Sequence, residues 1–151
     1  MITDTYRFAE QAVQISSLYE YVHAYCADYR VSETPAFEVM TSEKDIGYER
    51  EKSRREDVAS GRKIREFSAP YLESLAVYRK IAERMPHYDT ILFHGSVVAV
   101  DGEGYLFTAK SGTGKSTHTQ RWMDYFGERA VIINDDKPLL RIAGGTVTAY
   151  G

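Results

Sequence analysis

Residues 109–116 read Ala109-Lys110-Ser111-Gly112-Thr113-Gly114-Lys115-Ser116 and match the phosphate-binding loop pattern G-x-x-x-x-G-K-[ST] except at the first position, where alanine replaces glycine. A polyphosphate needs several donors that converge on a small volume. Main-chain amides converge in this way only if the chain curls tightly, which Gly112 and Gly114 permit. The alternative is a surface turn that happens to contain Gly-Lys-Ser, and we favour the phosphate loop.

The flanking residues predict the strand and the helix that such a loop requires. Apolar strands are predicted over residues 91–100 and 105–108, joined by a turn at Asp101-Gly102-Glu103-Gly104. A helix is predicted over 115–126, ended by Gly127, and its positive dipole end would face the anion. In the first turn of this helix, Lys115 would add a full positive charge, and the Ser116 hydroxyl would complete the coordination shell of Mg²⁺. Thr117 follows in the same turn.

Two carboxylates follow the loop. A buried strand is predicted over 130–133, and it stops at Asn134-Asp135-Asp136. Carboxylates at a strand end beside a phosphate loop suit Mg²⁺, and a second carboxylate could accept a proton from an attacking hydroxyl. We therefore favour metal ligand and general base as the roles of Asp135 and Asp136, with their order left open. A plain turn is the alternative. A hairpin is predicted over 139–150 around Gly144-Gly145.

The first half of the chain is predicted to be an α+β scaffold over residues 1–88. A strand is expected over 6–15, a helix over 18–29 behind a capping box at 17–20, and a strand over 36–40. A second cap at 42–45 leads into residues 47–57, either a solvated helix or a connector. A further helix begins at Ser68 and ends at Pro86. Its apolar face is expected at Tyr71, Leu75, Tyr78, Ala82 and Met85.

Composition narrows the class of protein. The 151 residues are 43% hydrophobic and 27% charged, a globular balance. The formal net charge of −3 gives no basic field for nucleic acid, so no nucleic-acid partner is expected. One cysteine, Cys26, fits a reducing compartment. Without a signal peptide or a long apolar stretch, the expected location is cytoplasmic, with no membrane partner.

Residues 94–116, HGSVVAVDGEGYLFTAKSGTGKS, resemble the catalytic domain of HPr kinase/phosphorylase, the bacterial serine kinase of the sugar-phosphotransferase carrier protein. That family shows a His-Gly, a hairpin with a glycine turn, a G-x-S-G-x-G-K-S loop and a downstream Asp-Asp. The Ser-Gly-Thr-Gly-Lys core is also similar to the nucleotide loop of phosphoenolpyruvate carboxykinase, whose fold the kinase shares. The first half resembles, more loosely, the N-terminal part of uncharacterised HPr-kinase-like proteins.

The resemblance implies an α/β fold, a mixed-sheet P-loop core of the phosphoenolpyruvate carboxykinase/HPr kinase type, over residues 89–151. Because the family's core continues further, we expect a C-terminally truncated form. The implied activity is ATP- and Mg²⁺-dependent phosphoryl transfer to a hydroxyl of a protein serine or small molecule. Residues 111–117 would hold the phosphates. The catalytic residues would be Lys115, Asp135, Asp136 and His94. Ser116 with both aspartates would bind metal.

Alternatives remain for several residues and for the whole chain. His94 would lie near the phosphates or serve as a hydrogen-bonded structural histidine. Trp122 and Phe126 could touch adenine, but core packing is favoured, whereas His118 and Thr119 are expected to be exposed. The expected partners are a nucleotide and a phosphoacceptor, with a homo-oligomer left open. The rivals are a non-catalytic ATP-binding regulatory module and a plain interaction domain.

Overall fold

The computed structural model describes residues 1–110 and 112–151, and these form a mixed α/β protein with small sheets, as predicted. The chain divides into two units. The first contains β1 (Ile2–Phe8), β2 (Gln11–Ser17), α1 (Tyr21–Tyr25), β3 (Phe37–Met40), α2 (Glu43–Ala59) and α3 (Ala69–Arg84). The second contains β4 (Thr90–Leu92), β5 (Ser96–Val100), β6 (Glu103–Phe107), α4 (Lys115–Phe126), β7 (Ala130–Asn134), β8 (Leu139–Ala143) and β9 (Thr146–Tyr150). Short 3₁₀ turns occupy Ala27–Tyr29, Met85–Tyr88 and Gly127–Arg129.

The chain forms two compact units, Met1–Arg84 and Met85–Gly151. In the first, β2 pairs antiparallel with β1 and parallel with β3, giving the order β1-β2-β3. The single strand predicted over residues 6–15 is wrong, because the chain reverses at Ala9 and Glu10, whose φ angles are 45° and 70°. Neither is a typical turn residue, so the sequence carried no turn signal there. The strand predicted over 36–40 is confirmed as β3.

The capping box predicted at Ser17 is wrong, and so is the long helix after it. Strand β2 continues through Ser17, and α1 covers only five residues. The amides of Leu18 and Tyr19, directly after the strand, donate to Glu73 of α3, at 2.7 and 2.9 Å. A carboxylate distant in sequence therefore binds the chain where the helix was predicted to begin.

Helix α2 shows that the charged segment over 47–57 is helical. Its predicted cap is confirmed, because the Ser42 amide donates to the Asp45 carboxylate at 2.9 Å. Besides the buried Ile46, this helix buries two carboxylates that form ion pairs. The Arg79 guanidinium of α3 donates to the buried Glu49 at 2.6 Å. The Arg65 guanidinium contacts the buried Asp57 at 2.7 Å and holds the pKa of that carboxyl below its usual range.

The apolar face predicted for α3 is wrong except at Met85, which is completely buried just after the helix. Tyr71 and Tyr78 are each 36% exposed, whereas the buried positions lie one or two residues away from predicted ones, on either side. These buried positions are Leu72, Glu73, Ala76, Val77 and Ile81. Glu73 interrupts the apolar periodicity of the buried face. The large tyrosines, which are partly exposed, look like core residues when only the sequence is considered.

The second unit holds two antiparallel sheets, in the orders β6-β5-β7 and β4-β8-β9. The continuous strand predicted over 91–100 is wrong because it divides between them. At the break, the amides of Phe93 and Gly95 donate to the carbonyls of Pro138 and Asp136, at 3.0 and 2.9 Å, and so bind the turn after β7. Helix α4 and the hairpin of β8 and β9 are confirmed. The strand predicted over 130–133 is present as β7, but the prediction that it is buried is wrong, because Val131 and Ile132 are exposed.

The core under α4 contains Val98, Val100 and Ala130. Trp122 and Phe126 pack against it, which confirms the favoured core assignment for both. Within the described residues, no helix combines the length with the apolar character needed to cross a bilayer.

We expect Glu73→Gln to destabilise the protein by about 2–3 kcal/mol, because the new amide would place a donor against buried donors. Glu73 is 1% exposed and also accepts from the Thr41 hydroxyl at 2.7 Å. Urea unfolding measures the change. The matched control is Glu83→Gln on the same helix, whose exposed side chain should cost less than about 0.5 kcal/mol. Equal effects of both substitutions would contradict this role for Glu73.

Candidate phosphate-binding site

The predicted loop connects the end of β6 to the start of α4. Gly112 and Gly114 both have positive φ, +83° and +93°, so the chain turns in a way that residues with a Cβ rarely adopt. The Thr113 hydroxyl donates to the Lys110 carbonyl at 2.7 Å and closes one bend. Ser111, which was predicted to bind phosphate, lies outside the described residues. The loop therefore curls directly ahead of a helix N-terminus.

Lys115 is the first residue of α4, and its side chain extends back over the loop. Its ammonium group donates to the carbonyl of Ala109, at 3.4 Å from Nζ to O. Ser116 and Thr117 follow in the first turn, and both are exposed. The first amides of a helix have no partner within it, so they carry partial positive charge that adds to the Lys115 ammonium.

Asp135 is held beside α4 by two buried hydroxyls. Ser96 is completely buried, and its hydroxyl oxygen Oγ lies 2.9 Å from both the carbonyl oxygen and the carboxylate atom Oδ1 of Asp135. The Thr119 hydroxyl oxygen Oγ1 lies 3.4 Å from the same Oδ1. It also lies 3.0 Å from the carbonyl oxygen of Ser116 in the preceding turn of α4. Both side-chain contacts are therefore made to Oδ1 of this carboxylate.

Thr119 was expected to be exposed, which is wrong, since its side chain is buried against Asp135. His118 is exposed as expected. Neither Ser96 nor Thr119 was predicted as a site residue. In the sequence, Ser96 is visible only as a polar residue at the start of an otherwise apolar strand. That pattern does not predict that Asp135 is its partner.

Asp136 and His94 form a second, more exposed pair. His94 Nε2 lies 3.4 Å from Asp136 Oδ1, and both side chains are more than half exposed. The His94 carbonyl accepts from the Thr108 hydroxyl at 3.2 Å, just before the loop. Asn134 Oδ1 accepts from the Asp136 amide at 2.9 Å and shapes the turn that presents both aspartates. The structure thus brings His94 to Asp136 at one side of the loop.

The donor set suits Mg²⁺. Hydroxyl and carboxylate oxygens are its preferred protein ligands, and it usually takes one or two carboxylates with water and substrate phosphates completing the shell. Ser116, Asp135 and Asp136 supply such oxygens. In residues 1–110 and 112–151, no group of three His, Cys, Asp or Glu side chains is placed to enclose a metal by itself. A magnesium ion here would therefore be shared with phosphate.

An open cleft of about 730 Å³ lies next to the loop. Its walls come from the end of β6, the second half of the loop and one face of α4. The lining residues include Phe107, Ala109, Gly114, Lys115, His118 and Arg121. No protein-family model and no curated protein matches the chain at a significant level. The loop, the acidic turn and the cleft are therefore the features that indicate a function.

We expect Ser96→Ala to lower the free energy of unfolding by about 1–2 kcal/mol, because the Asp135 oxygens lose a buried donor. Urea unfolding followed by circular dichroism measures the loss. Thr108→Ala is the control, since it removes an exposed hydroxyl with one 3.2 Å contact and should cost less than about 0.5 kcal/mol. A Ser96→Ala protein as stable as the wild type would show that this contact does not hold the acidic turn.

Proposed function

We propose that the chain is an ATP-dependent phosphotransferase that transfers the γ-phosphoryl group to a hydroxyl of a protein serine or a small molecule. One observation carries the proposal. A curled glycine loop with a lysine over it leads into α4, and the Thr119 side chain of that helix contacts Asp135. Anion donors at the start of α4 and a carboxylate in contact with the side of that helix are what phosphoryl transfer with Mg²⁺ requires.

For the fold of the second unit, we propose the phosphoenolpyruvate carboxykinase/HPr kinase type. Its support is the order of elements. The hairpin of β5 and β6 leads directly into the loop, and β7, which carries the Asp-Asp turn, pairs with β5. Most P-loop enzymes place the loop after their first strand, so a hairpin before it favours this branch.

The phosphates would be bound by charge and by oriented amides. The α4 N-terminus contributes its dipole, and the Lys115 ammonium turns from the Ala109 carbonyl, a weak contact at 3.4 Å, to the β- and γ-phosphates. Such pre-oriented donors stabilise the charge that develops on the transferred group.

The two aspartates would have different tasks. Asp135, held through Oδ1 by Ser96, suits the metal contact. Bound Mg²⁺ would neutralise charge on the β- and γ-phosphates. Asp136 is exposed and suits the general base. The acceptor oxygen bonds to the γ-phosphorus, the bond to the β,γ-bridging oxygen breaks, ADP leaves, and the hydroxyl proton passes to the Asp136 carboxylate.

Calorimetric titration of Mg-ATP into wild type and Lys115→Ala tests the phosphate site. We expect at least about tenfold weaker binding in the variant, because a charge-assisted contact with phosphate is lost. Lys63→Ala removes an equal charge from an exposed position in the first unit and should bind as the wild type does. If Lys115→Ala binds Mg-ATP with wild-type affinity, the phosphate-loop proposal fails.

Asp136→Asn separates a phosphotransferase from a regulatory ATP-binding module. Phosphate release from Mg-ATP, with water as the acceptor, provides a rate without an identified substrate. We expect the variant to keep Mg-ATP affinity within about threefold and to lose at least about tenfold in rate, because the base is removed. Saturable Mg-ATP binding with no phosphate release by the wild type would favour the regulatory module.

A further inference from the structure

The cleft beside the loop extends well beyond the space that three phosphates would take. Its volume of about 730 Å³ lies within the roughly 300–1,000 Å³ typical of small-molecule sites. Gly114 and Lys115 lie at one end, and His118 and Arg121 continue the wall along α4. At 1.5 Å of rise per residue, Arg121 lies about 9 Å further along the helix than Lys115. A ligand held at Lys115 therefore has a second binding surface within reach.

His118 presents a fixed imidazole to this cleft. The Trp122 indole Nε1 lies 3.2 Å from His118 Nε2, and an indole N–H can only donate, so Nε2 accepts and Nδ1 carries the proton. The Phe107 ring packs edge-on at 4.7 Å between centroids, with the two planes at 80°. The imidazole is thus oriented from two sides while its side chain stays exposed.

Arg121 lies one turn further along the same face of α4 and is exposed. None of the ion pairs found across the described residues includes it. A guanidinium group is planar and always charged, and it stacks readily on nucleobases. An oriented imidazole and such a guanidinium, three residues apart on a helix, make a surface suited to a flat heteroaromatic group.

We propose that this cleft receives the nucleoside end of the nucleoside triphosphate, with the base stacked against His118 and Arg121. The inference rests on the proposed function, because it takes the phosphates as bound at Lys115. Stacking uses the π-face that every base has, so it discriminates little among bases. ATP and GTP should accordingly bind with affinities within about fivefold of each other.

The test compares Mg-ATP with Mg-tripolyphosphate by calorimetry on the full chain. Tripolyphosphate offers the same phosphates without a nucleoside, so Mg-ATP should bind at least about tenfold more tightly. His118→Ala and Arg121→Ala should each weaken Mg-ATP binding at least about fivefold and leave tripolyphosphate binding unchanged. His118→Phe retains a ring and should keep Mg-ATP affinity within about threefold. Gln120→Ala, which alters an exposed α4 residue that does not line the cleft, is the control.

The possible failures are distinguishable. If the wild type binds neither ligand, the proposed function falls and this inference falls with it. If Mg-ATP and Mg-tripolyphosphate bind equally well, or if neither alanine variant changes Mg-ATP binding, the nucleoside site is overturned while the phosphate loop stands. Thermal unfolding of each variant confirms that it is folded, and Arg121→Ala, at an exposed position, keeps the test available if His118→Ala unfolds.

Discussion

The site depends on how closely the start of β5 contacts its neighbours. A Cβ on Gly95 would lie 2.8 Å from the Phe107 carbonyl oxygen, a contact that side-chain carbons essentially never make. The Gly95 amide donates to the Asp136 carbonyl, and the next residue, Ser96, holds Asp135. One short segment thus binds both the strand that leads into the loop and the acidic turn. A larger residue at Gly95 would separate these two parts by forcing the backbone to shift.

The charged groups of Lys115 and Asp135 each contact neutral, polar groups. The Lys115 ammonium contacts a loop carbonyl, and the Asp135 carboxylate contacts hydroxyls of Ser96 and Thr119. Each charge therefore has neutral, polar partners, which keep it in place at little cost in desolvation. A polyphosphate with Mg²⁺ would supply the complementary charges to both groups at once. This arrangement of Lys115 and Asp135 is one that the proposed ligand would fit.

Features set by nearby residues could be predicted from the sequence, and features set by distant contacts could not. Helix α4 and the hairpin of β8 and β9 have local caps and glycine turns, and both were predicted with nearly their observed bounds. The cap predicted at Ser17 does not form, and the two amides after Ser17 bind Glu73, which is far along the chain. The glycines and lysine of the loop were likewise visible as a motif, whereas the role of Ser96 exists only through its contact with Asp135.

The most direct test of the account observes the loop amides themselves. Two-dimensional ¹⁵N–¹H spectra recorded while Mg-ATP is added report each main-chain amide separately. If the curled loop binds phosphate, the largest shifts should fall on Gly112, Thr113, Gly114 and Lys115, because their N–H groups would exchange water for phosphate oxygens. Saturating Mg-ATP that leaves these four amides unshifted would contradict the claim that this loop is a phosphate site.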